Sequence, residues 1–269
     1  MTAGTASVSA MTAGCACGSM SGLACTGVIA MNAYGLLFAT HVAAGTVALL
    51  TFWSAALLRK GSQPHRLVGR AYLLAMVCVI ATALPMCVVQ YQRGQPVTAA
   101  FLAYLVVITS TAVWSAWRAV RDKHDVVRYT GPVFVVLGVL SLLTGAAVLA
   151  LGVRVNSPLL MGFSSIGLVA GIDTLLKRIR REKMAARPGW WRTEHYTSML
   201  GNGIATHIAF LGIGLPRLLP SLGGSSLQYL AWFGPLLVAV LAKLWLDRRW
   251  KPGPARPTGR AMDSLQRSA

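Results

Sequence analysis

GPVFVVLGVLSLLTGAAVLALGV, residues 131–153, is the stretch that decides the fold class. It carries no charge and no amide side chain. Its length falls in the range of about 17–25 apolar residues that a helix needs to cross a hydrocarbon core of about 30 Å. Lipid offers the peptide groups no hydrogen-bond partners, so such a segment must satisfy its own backbone as a helix. Gly131, Gly138, Gly145 and Gly152 recur every seven residues along it. A stripe of small residues lets one membrane helix pack closely on another.

Working outward, comparable apolar runs cover Tyr34–Leu58, Leu67–Val89 and Val97–Trp117 before it, and Pro158–Leu176, Tyr196–Leu215 and Leu227–Leu246 after it. Gly167 and Gly171 give the run after it a short stripe of its own, and Pro85 is expected to kink the second run. The expected fold is an all-α polytopic transmembrane bundle of about seven helices over residues 34–247. It is preceded by an uncharged flexible leader, residues 1–33, with Met31 an alternative start. It is followed by a basic, disordered cytoplasmic tail, residues 248–269.

Charge tests this count independently. Basic residues gather in the first connector (Arg59, Lys60, Arg66, Arg70), the third (Arg118, Arg121, Lys123, Arg128), the fifth (Lys177 to Arg192) and the C-terminal end (Lys243 to Arg267). Of the 25 basic residues only Arg93, Arg154 and Arg217 fall on the other side. The positive-inside rule then sets the N-terminus outside and the C-terminus in the cytoplasm. Trp114, Trp117, Trp190, Trp191, Trp245 and Trp250 all fall near the same boundary, where indole suits the headgroup layer.

Composition agrees. Hydrophobic residues make up 55% of the chain and charged residues 12%, against about 25% charged in soluble domains. The net charge of +18 is explained by topology and does not point to nucleic acid. The expected location is the inner (plasma) membrane of a bacterium, with the lipid bilayer as surrounding partner. Cys15-x-Cys17 has no histidine or acid beside it, so it reads as part of a small-residue leader more readily than as a metal clip. No Ser-His-Asp order, phosphate loop, zincin motif, nucleotide fingerprint or internal repeat is visible.

The candidate site residues are histidines, because ionisable groups inside a membrane are costly and mark function by default. His41 lies inside the first run and His207 inside the sixth, while His65 opens the second helix and His195 the sixth. At 1.5 Å per residue His41 sits about 10 Å below the outer boundary and His207 about 18 Å above the inner one. Those positions give the two a similar depth, and His65 and His195 share the inner level. Two stacked histidine pairs suit transmembrane electron transfer, since imidazoles ligate haem iron from opposite sides and bundle helices supply such ligands. Gly45 and Gly203, each a turn from an intramembrane histidine, would leave room for a flat macrocycle or simply serve helix packing. Arg66 and Arg70 could neutralise propionates, or serve topology alone. Each histidine also has a structural reading: His41 and His207 hydrogen-bonding neighbouring helices, His65 capping a helix, His195 in an interfacial pair with Glu194. His124, in a charged loop, reads as solvated. Asp173, the one acid well inside an apolar run, reads as the partner of Lys177 one turn on.

His41-x3-Gly45 with Lys60-Gly61-x3-His65-Arg66-x2-Gly69-Arg70-x-Tyr72, and later Glu194-His195 with Met199-Leu200 and His207, resembles a family of bacterial predicted membrane proteins classed as a domain of unknown function. The resemblance covers mostly residues 35 to 215. It implies that His41, His65, Arg66, His195 and His207 belong to one pattern. The first two helices are also loosely similar to di-haem cytochromes of the b561 class.

The leading expectation is a membrane redox protein holding haem b, chiefly between His41 and His207, with His65 and His195 at a second, inner site. One alternative is a non-haem copper or iron oxidoreductase with the metal on His41 and His207. Another is a non-catalytic carrier of a small molecule, or an assembly factor for another membrane protein.

Overall fold

The computed structural model describes residues 18–218 and 224–250, with side chains from Tyr34 onward except at 213, 217–218 and 225–226. Among the described residues all regular structure is helical. The chain divides into two compact units, residues 1–40 and His41–Ala269. Helix α1 covers Gly18–Leu57, α2 Gln63–Gln92, α3 Pro96–Arg121, α4 Val126–Tyr129, α5 Pro132–Arg154, α6 Pro158–Ile179 and α7 Arg181–Ala185. Then α8 covers Trp190–Ile208, a π-helical turn Ala209–Gly214, α9 Leu215–Leu218 and α10 Ser225–Arg249.

Helix α1 begins at Gly18, within the stretch 1–33 expected as a leader. The stretch contains no proline and no charge to stop helix propagation. Residues 1–17, with Cys15 and Cys17, and the tail beyond Trp250 lie outside the described residues.

Local signals explain most helix starts. Ser62, Asp125 and Ser157 each accept a backbone N–H three residues on, capping α2, α4 and α6. Proline fills the first helical turn of α2, α3, α5 and α6, where its missing N–H costs nothing. Pro85 sits inside α2, which stays one helix around it.

Among the described residues six helices are long and apolar enough to cross a membrane: α1 from Tyr34, α2, α3, α5, α6 and α10 from Leu227. The stretch expected as the sixth crossing, Tyr196–Leu215, is more polar, holding Asn202 and His207 and following directly on Glu194 and His195. It nonetheless runs the length of α10. Near its start the Tyr196 hydroxyl donates to the Asp247 carboxylate, and at Gly212 an added Cβ would lie 2.9 Å from the Trp232 ring. The two elements are therefore antiparallel. Burial by neighbours is what allows a polar helix there, since polar groups at membrane depth must face protein.

The glycine stripe does what its spacing implies. A Cβ on Gly171 would meet Leu142 N at 2.7 Å and Gly138 O at 2.8 Å; one on Gly145 would meet Leu168 N at 3.0 Å. The α5 and α6 backbones are thus in direct contact. Gly167 serves a third helix. Its missing side chain admits the ring of Tyr104, whose hydroxyl donates to Phe163 O at 2.6 Å and accepts from Gly167 N–H at 2.9 Å. Phe163 and Gly167 are four apart, so a side chain from α3 bridges the two ends of one helical rung of α6. Large apolar side chains such as Leu36, Leu74, Leu143, Val169 and Leu230 are exposed around the outside, as a lipid-facing surface requires. At the basic end, arginines cover indole rings: Arg118 over Trp114, Arg121 over Trp117, Arg192 over Trp191 and Trp250, Arg249 over Trp245.

Candidate histidine site

The polar faces of α1, α2 and α8 carry the candidate residues. His65 occupies the first turn of α2, where the Ser62 cap and Pro64 fix the chain. Its Nδ1 donates to Ala55 O at 3.0 Å. Lys60 Nζ donates to the same carbonyl at 3.0 Å, and to those of Ala56 and Leu58. An ammonium and an imidazole together satisfy the orphan carbonyls that end α1. Partial burial holds the Lys60 ammonium below its ordinary pKa.

His195 opens toward α3, with Nδ1 on Ala116 O at 3.0 Å. His207, three turns further along α8, donates from Nδ1 to Gly203 O at 2.7 Å, and its Nε2 accepts from Trp53 Nε1 at 2.9 Å. Phe52 and Trp53 stand edge-on to its ring, with centroids 5.4 and 5.6 Å away. His41 Nδ1 is 2.8 Å from Thr82 Oγ1 on α2. The Thr82 hydroxyl spends its one hydrogen on the carbonyls of Cys78 and Val79, so His41 is the donor.

These contacts set the tautomers. A carbonyl can only accept, so the neutral imidazoles of His65, His195 and His207 carry their proton on Nδ1, as does His41 with the Thr82 hydrogen spent on backbone carbonyls. Nε2 is then the lone-pair nitrogen in every case. At His207 that lone pair is taken by Trp53; at His41, His65 and His195 it has no partner among the described residues.

The expected pairs are not equally realised. His65 and His195 lie near the starts of α2 and α8, at the basic end, each bonded to a different backbone carbonyl. His41 and His207 do not share a partner. His207 meets α1 at Phe52 and Trp53, about 18 Å along the helix from His41 at 1.5 Å per residue. The structure does not bring the two to one level on α1. The two flanking glycines also differ. A Cβ on Gly203 would lie 2.5 Å from Phe52, so that side of His207 is filled by a ring of the protein itself. Gly45, and Gly69 one turn beyond His65, would meet nothing within 4 Å. Arg66 and Arg70 are exposed on α2 and form no ion pair among the described residues. His124 is exposed. No group of three or more His, Cys, Asp or Glu placed to hold a metal ion occurs among the described residues.

Two features escaped the sequence reading. Asp173 pairs with Lys177 at 2.5 Å as expected, but Lys177 also reaches Glu194 at 2.8 Å. Tyr129, from α4, donates to the same carboxylate at 3.1 Å. Burial, and then the Glu194 charge, push the Tyr129 phenol well above its ordinary pKa. This cluster clamps α8 beside His195, so Glu194 serves α6 and α4 and does not orient the imidazole next to it. The second feature is Trp53, half exposed on α1, which nothing in its local sequence links to His207.

Comparison with protein-family models, with curated proteins and with solved structures finds no match for this chain.

Proposed function

We propose that this chain is an integral membrane redox protein that binds haem b through histidine Nε2 atoms and passes electrons within or across a bacterial inner membrane, oriented N-out and C-in. The observation that carries the reading is the shared Nδ1–H state of His41, His65, His195 and His207. Metal-ligating histidines ordinarily donate the other ring N–H to a carbonyl or similar acceptor, which fixes the tautomer and raises ligand basicity. His65 and His195 are the candidates the reading rests on most: each lies near a helix start at the basic end with a backbone acceptor behind its ring and a free Nε2, and Gly69 leaves the side of α2 one turn beyond His65 open. His41 and His207, which meet α1 about 18 Å apart, do not form a second pair of ligands. Haem supplies one-electron chemistry when bound. The chain's own residues hold the imidazoles in register and, at Arg66 and Arg70, offer cations near the inner pair.

The test is an oxidised-minus-reduced visible spectrum of detergent-purified protein made with ample haem, beside His65→Ala, His195→Ala, His41→Ala and His207→Ala. Sharp bands of a six-coordinate b-type haem, lost in His65→Ala and His195→Ala, are the expected result. A flat spectrum from folded, haem-supplied protein refutes the reading. Stoichiometric copper or iron without a porphyrin band would replace it with a non-haem centre.

A further inference from the structure

Asn202 has no exposed surface, and neither its amide nitrogen nor its amide oxygen hydrogen-bonds to protein. It lies mid-way along α8, on the α-helix that the bundle surrounds. Burying an amide without partners is costly, and native structures seldom leave such groups unmatched. Its surroundings are polar. One turn on, Thr206 donates its hydroxyl hydrogen to Asn202 O at 2.9 Å. Tyr72, also without exposed surface, reaches Thr206 Oγ1 from α2 at 3.2 Å. With the Thr206 hydrogen spent on the carbonyl, the tyrosine is the donor, and its own oxygen keeps acceptor capacity. The cluster therefore presents two N–H donors and several acceptors from two helices.

We propose that Asn202, with Thr206 and Tyr72, forms an internal water site in the membrane-spanning part of the bundle. Water is the ligand class that matches: small, neutral, both donor and acceptor, and able to use two to four polar partners at once. The site stands about 10 Å along α8 from His195 and adjoins the turn bearing His207. The inference rests on the amide and hydroxyl geometry and stands whether or not haem binds.

The test is X-ray radiolytic footprinting of the full chain in lipid nanodiscs, read by mass spectrometry with 18O-water. Radicals made from bound water oxidise the side chains beside it. Tyr104 is the internal control, because it is equally buried but its hydroxyl is satisfied by Phe163 and Gly167. Tyr72 should be oxidised several-fold faster than Tyr104 in the unmodified protein. Asn202→Leu, and independently Thr206→Val, should bring Tyr72 down to the Tyr104 rate. Equal rates for the two tyrosines in the unmodified protein overturn the proposal, even if neither variant folds. An unchanged Tyr72 rate in a folded Asn202→Leu protein overturns it as well.

Discussion

Replacing Gly171 by alanine adds one methyl group where the α5 and α6 backbones meet most closely. The new Cβ would lie 2.7 Å from Leu142 N, 2.8 Å from Gly138 O and 2.8 Å from Leu142 Cβ. Two of these atoms are backbone and cannot rotate away. Restoring an ordinary contact of about 3.5 Å means parting the helices by roughly 0.7 Å, a gap that forfeits a quarter to a half of the dispersion well for the atoms around it. The loss matters more here than in a soluble core, because lipid gives helix association no hydrophobic drive and packing must supply it. The expected cost is about 1–3 kcal/mol, the usual range for overpacking. Gly69→Ala, inside α2 with nothing within 4 Å of the added atom, is the matched control. It should be neutral or gain up to about 1 kcal/mol from helix propensity. Both variants can be compared with the parent by SDS titration in mixed micelles, following helix content and tryptophan emission. A Gly171→Ala protein as stable as the parent, or less perturbed than Gly69→Ala, would refute the close-packing argument.

The Tyr104 hydroxyl bridges a rung of α6, so Tyr104→Phe leaves Phe163 O and Gly167 N–H without it; a loss of about 1–3 kcal/mol in the same titration is expected, and no loss would show that the rung closes on itself. Glu194→Gln removes the charge that Lys177 shares with Asp173; since Lys177 is a quarter exposed, the expected cost is about 2 kcal/mol, below the 3–5 of a fully buried pair. A double-mutant cycle with Lys177→Met should show coupling, and simple additivity would remove Glu194 from the cluster. Histidine-selective 15N NMR should find His207 neutral with its proton on Nδ1, and Trp53→Phe should shift its Nε2 resonance alone; a His207 protonated on Nε2 would contradict the Trp53 bond.

Much of this architecture follows from linear patterns. Length, apolarity and the absence of charge in runs such as 131–153 force helices, because lipid leaves the backbone no alternative. The seven-residue glycine spacing marks a contact face, and Asp173 to Lys177 is a one-turn pair. These are properties of one helix at a time, so sequence alone determines them. The extent of helix before Tyr34 was not legible in the same way, since an uncharged small-residue run carries neither a stop nor a strong start signal.

What the sequence could not determine is which faces meet. That His207 rests on Trp53 and not opposite His41, that Phe52 fills the side of Gly203, and that Glu194 serves Lys177 and Tyr129 all depend on helix inclination and rotation. Those two quantities are set by packing between helices, and no single segment encodes them. The histidines were visible as residues, but their shared Nδ1–H state became visible only with Ala55, Ala116, Gly203 and Thr82 in place behind them. Three of these acceptors are backbone carbonyls, which every residue possesses, so no side-chain pattern could have announced them.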